Sequence, residues 1–175
     1  EIKKNKLVER VHPCLVDDSS YIANINGVLN AIIVDGKPSG RTVIQGEGAG
    51  PGSTSSGLIS DLCSVLRGNI KYPFGISSVK RKIPKIYNIK NYCNSLYLRF
   101  EVKDKPGVLS QITKQLAKRS ISVERLIQIP DHKKKTASIV IITHQSNEND
   151  AQNCLKSFKN NRNFLKKPTL IRLFN

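Results

Sequence analysis

The chain has 175 residues and carries 29 Lys and Arg against 13 Asp and Glu, a formal net charge of +16 at pH 7. That length holds one medium domain or two small ones, and the 38% of hydrophobic residues suffice for folded cores without any apolar run long enough to span a bilayer. Cys14, Cys63, Cys93 and Cys154 have neither C-x-x-C spacing nor a nearby His partner, which argues against a zinc site or a disulfide framework and for a reducing cytoplasm.

The basic balance raises nucleic acid as a partner. Against it, the lysines come together with many Ile and Asn, and five Tyr and five Phe leave few rings for base stacking. Nucleic-acid binding is therefore the weaker reading. The chain starts at Glu1 and contains no Met, which suggests an N-terminus that is processed or incomplete.

In chain order, residues 1–6 read as a polar start and residues 7–16 as a β-rich segment in which Pro13 marks an edge or a bend. The lone His12 has no second ligand-type residue at a useful spacing, so a structural or surface role fits it better than a metal. Asp17-Asp18-Ser19-Ser20 is a turn or cap cluster, and residues 21–26 form a short, possible helix ending at Gly27. Residues 28–45 read as two strands around a turn at 35–40 that contains Gly36, Pro38 and Gly40.

The second of these strands runs into Gly46-Glu47-Gly48-Ala49-Gly50-Pro51-Gly52-Ser53-Thr54-Ser55-Ser56. Alternate glycines remove Cβ atoms and allow close approach of a ligand or another backbone. Ser53–Ser56 are candidate caps for a helix over residues 57–66, whose Leu58, Ile59, Leu62, Val65 and Leu66 recur at helical spacing, with Gly68 as the stop. Strand, loop and helix together present N–H groups to an anion. The pattern is neither G-x-G-x-x-G nor a Walker A loop, so a ligand loop and a tight structural turn stand level on the residues alone. Residues 72–94, with Pro73, Gly75, Pro84 and five basic residues but no acidic one, read as a basic linker.

Residues 95–103 alternate apolar and polar as a strand, Asp104-Lys105-Pro106-Gly107 turns, and residues 108–119 form a helix with Val108, Leu109, Ile112, Leu116 and Ala117 on one side. Strands follow at 121–129 and 136–144, a helix at 148–160 and a last strand at 169–174. The order is βαββαβ, a ferredoxin-like split βαβ arrangement. Its antiparallel sheet has helices on one face, and strands as apolar as 139–142 imply that the other face is covered as well, by a second copy. The strands lack the aromatic set of an RNA-recognition module.

These residues resemble two known families. Residues 95–175, with the Asp104-Lys105-Pro106-Gly107-Val108-Leu109 turn, are similar to ACT domains, small modules that sense amino acids. Arg10-Val11-His12-Pro13, Leu29-Asn30-Ala31-Ile32, Gly46-x-Gly48-Ala49-Gly50, Thr54-Ser55-Ser56 and Ser60-Asp61-Leu62 resemble, in this order, the C-terminal third of homoserine dehydrogenase. The resemblance implies an α+β chain: part of a mixed-sheet catalytic and dimerisation domain at 1–71, the linker at 72–94, and a ferredoxin-like ACT domain at 95–175.

It also implies an NAD- or NADP-dependent oxidoreductase that interconverts homoserine and aspartate semialdehyde on the route to threonine, isoleucine and methionine. Gly46, Gly48, Ala49, Gly50 and Thr54 inherit cofactor contacts. Asp104, Pro106, Gly107, Val108, Leu109 and Gln128 inherit contacts to an amino-acid effector, with threonine the expected one. The family's nucleotide-binding domain and catalytic lysine have no counterpart among these residues, so no catalytic residue is assigned, and the chain is expected to be an inactive C-terminal fragment. A cytoplasmic homo-oligomer, at least a dimer, is expected, with residues 28–34 similar to the family's dimerisation sheet. The usual Pro-Thr-Ala-Ser after the loop is Ser53-Thr54-Ser55-Ser56 here. The alternative is a free-standing ACT-type regulatory protein.

Overall fold

The structure, a computed structural model, describes residues 2–69, 72 and 75–174. Among the described residues the elements are β1 (Ile2–Lys3), β2 (Lys6–Leu7), β3 (Cys14–Leu15), β4 (Leu29–Gly36), β5 (Gly40–Glu47), α1 (Pro51–Leu66), β6 (Cys93–Asn94), β7 (Leu96–Lys103), α2 (Val108–Ala117), β8 (Val123–Asp131), β9 (Thr136–Thr143), β10 (Ser146–Asn147), α3 (Glu148–Lys156) and β11 (Thr169–Leu173). They divide into two compact units, residues 1–16 with 84–175, and residues 17–83.

The first unit is built on a sheet of order β3-β11-β7-β9-β8. Alternation along β7 sends Leu96, Leu98, Phe100 and Val102 to one face, and β9 sends Ala137, Ile139 and Ile141 to the same face. Phe100 lies opposite Ile139 and Leu98 opposite Ile141. Val108, Ile112 and Leu116 of α2 and Ala151 and Cys154 of α3 close this layer from above. Phe100 meets Phe158 edge-on at 5.7 Å, and Phe158 stacks on Phe164 at 4.5 Å. Burying side chains of this size contributes about 1.5–3 kcal/mol each, which is what fixes the register. Burial pushes the Cys154 thiol up to about 11, as suits a packing residue.

β7, α2, β8, β9, α3 and β11 give the expected βαββαβ order. Ala117, placed on the apolar side of the first helix by its spacing, is exposed. The sheet also has a strand that the sequence did not announce. β3 joins β11 in parallel, Cys14 beside Arg172 and Leu15 beside Leu173, so the sheet is mixed rather than wholly antiparallel. Residues 7–16 are not one strand: Leu7 ends β2, and Cys14 and Leu15 pair separately after Pro13, which offers no N–H to a ladder. Residues 84–94, read as linker, are tied into this unit as well: Leu7 N–H donates to the Lys85 carbonyl and Tyr87 N–H to the Leu7 carbonyl, each at 2.8 Å, and β6 pairs with β10. Pro73 and the boundary at residue 71 lie outside the described residues.

The second unit contains the β4–β5 hairpin, paired from Leu29–Glu47 to Gly36–Gly40. Its loop includes a cis Lys37–Pro38 peptide, and Arg41 bridges to Asp35 across the strands at 2.6 Å. Residues 21–26 make turns instead of a helix, with Ala23 N–H bonded to the Ser20 carbonyl and Ile25 N–H to the Ile22 carbonyl; Asn24 and Asn26 favour turns over helix. No residue of α1 is buried. No helix among the described residues is long and apolar enough to cross a membrane.

Candidate functional site

The turn between β7 and α2 and the neighbouring strand β8 enclose a pocket of about 390 Å³. Asp104, Pro106, Gly107, Val108, Leu109 and Gln128, the six residues tied to an effector by resemblance, all line it. Local chemistry explains the turn. Pro106 fixes φ for the bend, and Gly107 sits at φ 85°, a left-handed conformation that costs other residues strain. Gly107 is the N-cap of α2. Having no side chain, it gives no cap hydrogen bond, and no acidic residue stands in the first turn. Val108 N–H donates to the Lys105 carbonyl at 3.4 Å, and the helix opens with no side-chain cap on its next N–H groups and a partial positive charge. Across the pocket the Gln128 side-chain amide donates to the Asp104 carboxylate at 3.4 Å. Lys103 and Lys105 line the pocket as well, so it offers cationic groups at the head of α2, one carboxylate at Asp104 and a neutral amide on β8.

The glycine loop differs from its expected form in one respect. α1 begins at Pro51, not at residue 57, with Gly50 as N-cap at φ 129°. Pro51 at the first turn is pre-set for a helix start, so Ser53–Ser56 fall inside the helix rather than capping it. Ser53 and Ser55 hydroxyls donate back to the Gly50 and Pro51 carbonyls at 3.2 and 2.6 Å. The five residues assigned to a cofactor do not share one role. Gly46 lies in β5, paired with Asn30, with open space where a Cβ would stand, whereas a Cβ on Gly48 would lie 1.8 Å from the Asn30 side-chain amide. Gly48 also donates its N–H to the Val28 carbonyl at 2.8 Å, so it serves hairpin closure. Ala49 and Gly50 lead into α1, and Thr54 donates its N–H to the Gly50 carbonyl at 3.1 Å. α1 has no side-chain cap and no acid in its first turn, which fits an anionic group such as a cofactor phosphate.

Residues 96–163 match the ACT domain family and residues 3–63 match the homoserine dehydrogenase family. The chain thus carries a segment of the homoserine dehydrogenase family followed by one of the ACT domain family. It is 34% identical over 166 residues to a homoserine dehydrogenase of Helicobacter pylori, covering 95% of this chain and 39% of that protein. With the Neisseria gonorrhoeae enzyme the identity is 32%, covering 90% and 38%. The crystal structure of a Thiobacillus denitrificans homoserine dehydrogenase superposes with a TM-score of 0.84 at 29% identity, over 99% of this chain and 40% of that one. The chain therefore spans about two-fifths of the length of these relatives, and what matches are homoserine dehydrogenases, which are oxidoreductases that use a nicotinamide cofactor.

One cluster joins the two matched segments and has no forerunner in the sequence. Glu148, the first residue of α3, receives Arg10 from the homoserine dehydrogenase segment and Arg172 from β11. Arg172 Nε donates at 2.9 Å, and Gln152 donates to the same carboxylate at 3.1 Å. Glu148 also donates its N–H to the Tyr92 carbonyl at 3.1 Å, and the Arg10 guanidinium lies 4.9 Å from the Tyr92 ring centroid. The Glu148 side chain is 7% exposed. Burial pushes its carboxyl up, but hydrogen bonds and charge from Arg172 and Arg10 outweigh that, and its pKa lies below the ordinary value. Arg10 was visible in Arg10-Val11-His12-Pro13, but its partner is 138 positions away and no local pattern connects them. His12 faces Cys14, Nδ1 to Sγ at 3.2 Å; among the described residues no cluster of three or more His, Cys, Asp or Glu could hold a metal.

Proposed function

We propose that this chain supplies the effector-sensing module and one wall of the cofactor site of a homoserine dehydrogenase that interconverts L-homoserine and L-aspartate 4-semialdehyde in the cytoplasm, within threonine, methionine and isoleucine synthesis. The observation that carries the reading is the 104–109 pocket, which sets the head of α2, Lys103 and Lys105 beside the Asp104 carboxylate and the Gln128 amide, groups for both ends of an amino acid. The effector carboxylate sits at the N-terminus of α2, its ammonium faces Asp104, and Gln128 bonds the side chain. Threonine is the effector expected from the resemblance, and its side-chain hydroxyl would give the Gln128 amide a further partner.

Gly46, Ala49, Gly50 and Thr54 would hold a phosphate-bearing part of NADP or NAD at the head of α1, with Gly48 shaping the loop from behind. The cofactor supplies hydride transfer; these residues orient it. No residue here inherits proton transfer, so the chain by itself is assigned binding and control, and it turns over no homoserine. The protein works as a homo-oligomer, at least a dimer.

Calorimetry of the 175-residue chain with L-threonine, L-isoleucine and L-methionine tests the reading. Heat with threonine that Asp104→Asn abolishes is the expected result. Absence of heat for all three amino acids removes the sensing role.

A further inference from the structure

A second cavity on the ACT unit shares no lining residue with the 104–109 pocket. It lies between α3, the chain that follows it and β11, and measures about 760 Å³, within the range of roughly 300–1,000 Å³ that small organic ligands occupy. Its floor is apolar: Leu155, Phe158, Phe164 and Leu170, with Phe158 buried beneath at 3% exposure and Phe164 stacked on it. Its rim is cationic. Lys156, Lys159, Lys166 and Lys167 all line it, and no Asp or Glu does. Among the described residues none of the four lysines forms an ion pair. Arg172 reaches the same cavity but is committed to Glu148.

These two properties define a ligand chemistry together. Four ammonium groups around one concavity repel each other and raise the local potential, and an anion placed among them removes that repulsion. An apolar floor gains nothing from a bare anion and does gain from a hydrocarbon or ring. We infer that this cavity binds an organic anion with a flat or branched apolar body and a carboxylate or phosphate head, at a second site distinct from the amino-acid pocket. The body lies on the Phe158–Phe164 stack and the head meets the lysine rim. The small α-amino acids proposed for the first pocket fit poorly here, because their ammonium would face the lysines.

The test is calorimetry of the 175-residue chain with 3-phenylpropionate, phenyl phosphate and the neutral analogue 3-phenylpropanamide, joined to backbone NMR. Both anions are expected to bind with a dissociation constant of about 1 mM or tighter, and the amide at least ~10-fold more weakly. Tighter binding of phenyl phosphate than of 3-phenylpropionate assigns the head as phosphate, and the reverse order as carboxylate. Shifts are expected at Leu155, Phe164 and Leu170. Lys166→Glu with Lys167→Glu, and separately Lys156→Glu with Lys159→Glu, should each weaken binding at least ~10-fold, while Asp104→Asn leaves it unchanged. No binding of either anion at 10-fold above the expected constant, equal binding of the amide, or indifference to both pairs of charge reversals overturns the proposal; so does loss of binding in Asp104→Asn.

Discussion

Single residues carry the chemistry of this chain in two different ways. Gly107 acts through its backbone alone. At φ 85°, with nothing within 4 Å of a Cβ position, Gly107→Ala meets no clash, and only the left-handed conformation is penalised, by about 1–2 kcal/mol. Urea denaturation should show that loss, and calorimetry should show weakened amino-acid binding as the start of α2 shifts. Glu148 acts through charge. Removing it leaves two largely buried guanidiniums facing each other, so Glu148→Gln should cost about 3 kcal/mol at pH 7. Its folded pKa lies below the ordinary 4.5, so its contribution is complete above that value and fades as pH falls through the lower, folded one. Urea midpoints of wild type and Glu148→Gln should stay apart from pH 7 to 5 and converge in more acid buffer; a gap that persists unchanged at pH 2 would show that the carboxylate is not the source. The difference in legibility follows. The residues of the Asp104–Leu109 turn act on neighbours within one bend, and a bend is written in adjacent residues. Glu148 acts on partners brought in by β11 and by the first strands, and nothing in its own neighbourhood announces them.

At the scale of elements, α1 and α2 make opposite use of the same periodic signal. Both show apolar residues at helical spacing. In α2 these residues are the core, with Ile112 fully buried, whereas Leu62 of α1 remains 58% exposed. Ile112→Ala should therefore cost about 2–5 kcal/mol, and Leu62→Ala less than about 0.5 kcal/mol, in thermal or urea melts of this chain. Similar losses at both positions would mean that α1 is packed after all. Periodicity told that both segments are helices, but it could not say what each faces. Helix starts were legible where the turn before them is explicit, as at Pro106-Gly107 before α2. Asn147 accepts N–H bonds from Asn149 and Asp150 at 2.9 and 3.3 Å and marks the start of α3, as the sequence expects. The start of α1 was misplaced because the hydroxyl run after Gly50 resembles a cap while bonding backwards.

For the molecule as a whole, the βαββαβ unit was readable because its strands alternate cleanly and its turns are local; the parallel addition of β3 was not, since two residues after a proline carry no periodic signal. The unit of residues 17–83 raises a different question, which the hairpin register answers best. Ile32 pairs directly with Ile44, and Val34 follows on the same face two residues on. These three are 63%, 59% and 50% exposed, while Ala31 and Ile33 on the opposite face are half-buried. One face of the hairpin is thus apolar and open. Pairing it with the same face of a second copy would bury four isoleucines, each contributing about 1.5–3 kcal/mol, a sum comparable with the ~4–15 kcal/mol that association costs. Light scattering should accordingly find the chain at least dimeric. Ile32→Lys with Ile44→Lys replaces that gain by repulsion between like charges across the interface, and should weaken association at least ~100-fold. Both positions are exposed in the single chain, so the ACT unit should keep its melting behaviour. If the doubly substituted chain retains the mass of the wild type, the pairing surface lies elsewhere, and the open face of the ACT sheet, where Ile127 and Ile129 are 55% and 59% exposed, becomes the surface to substitute next.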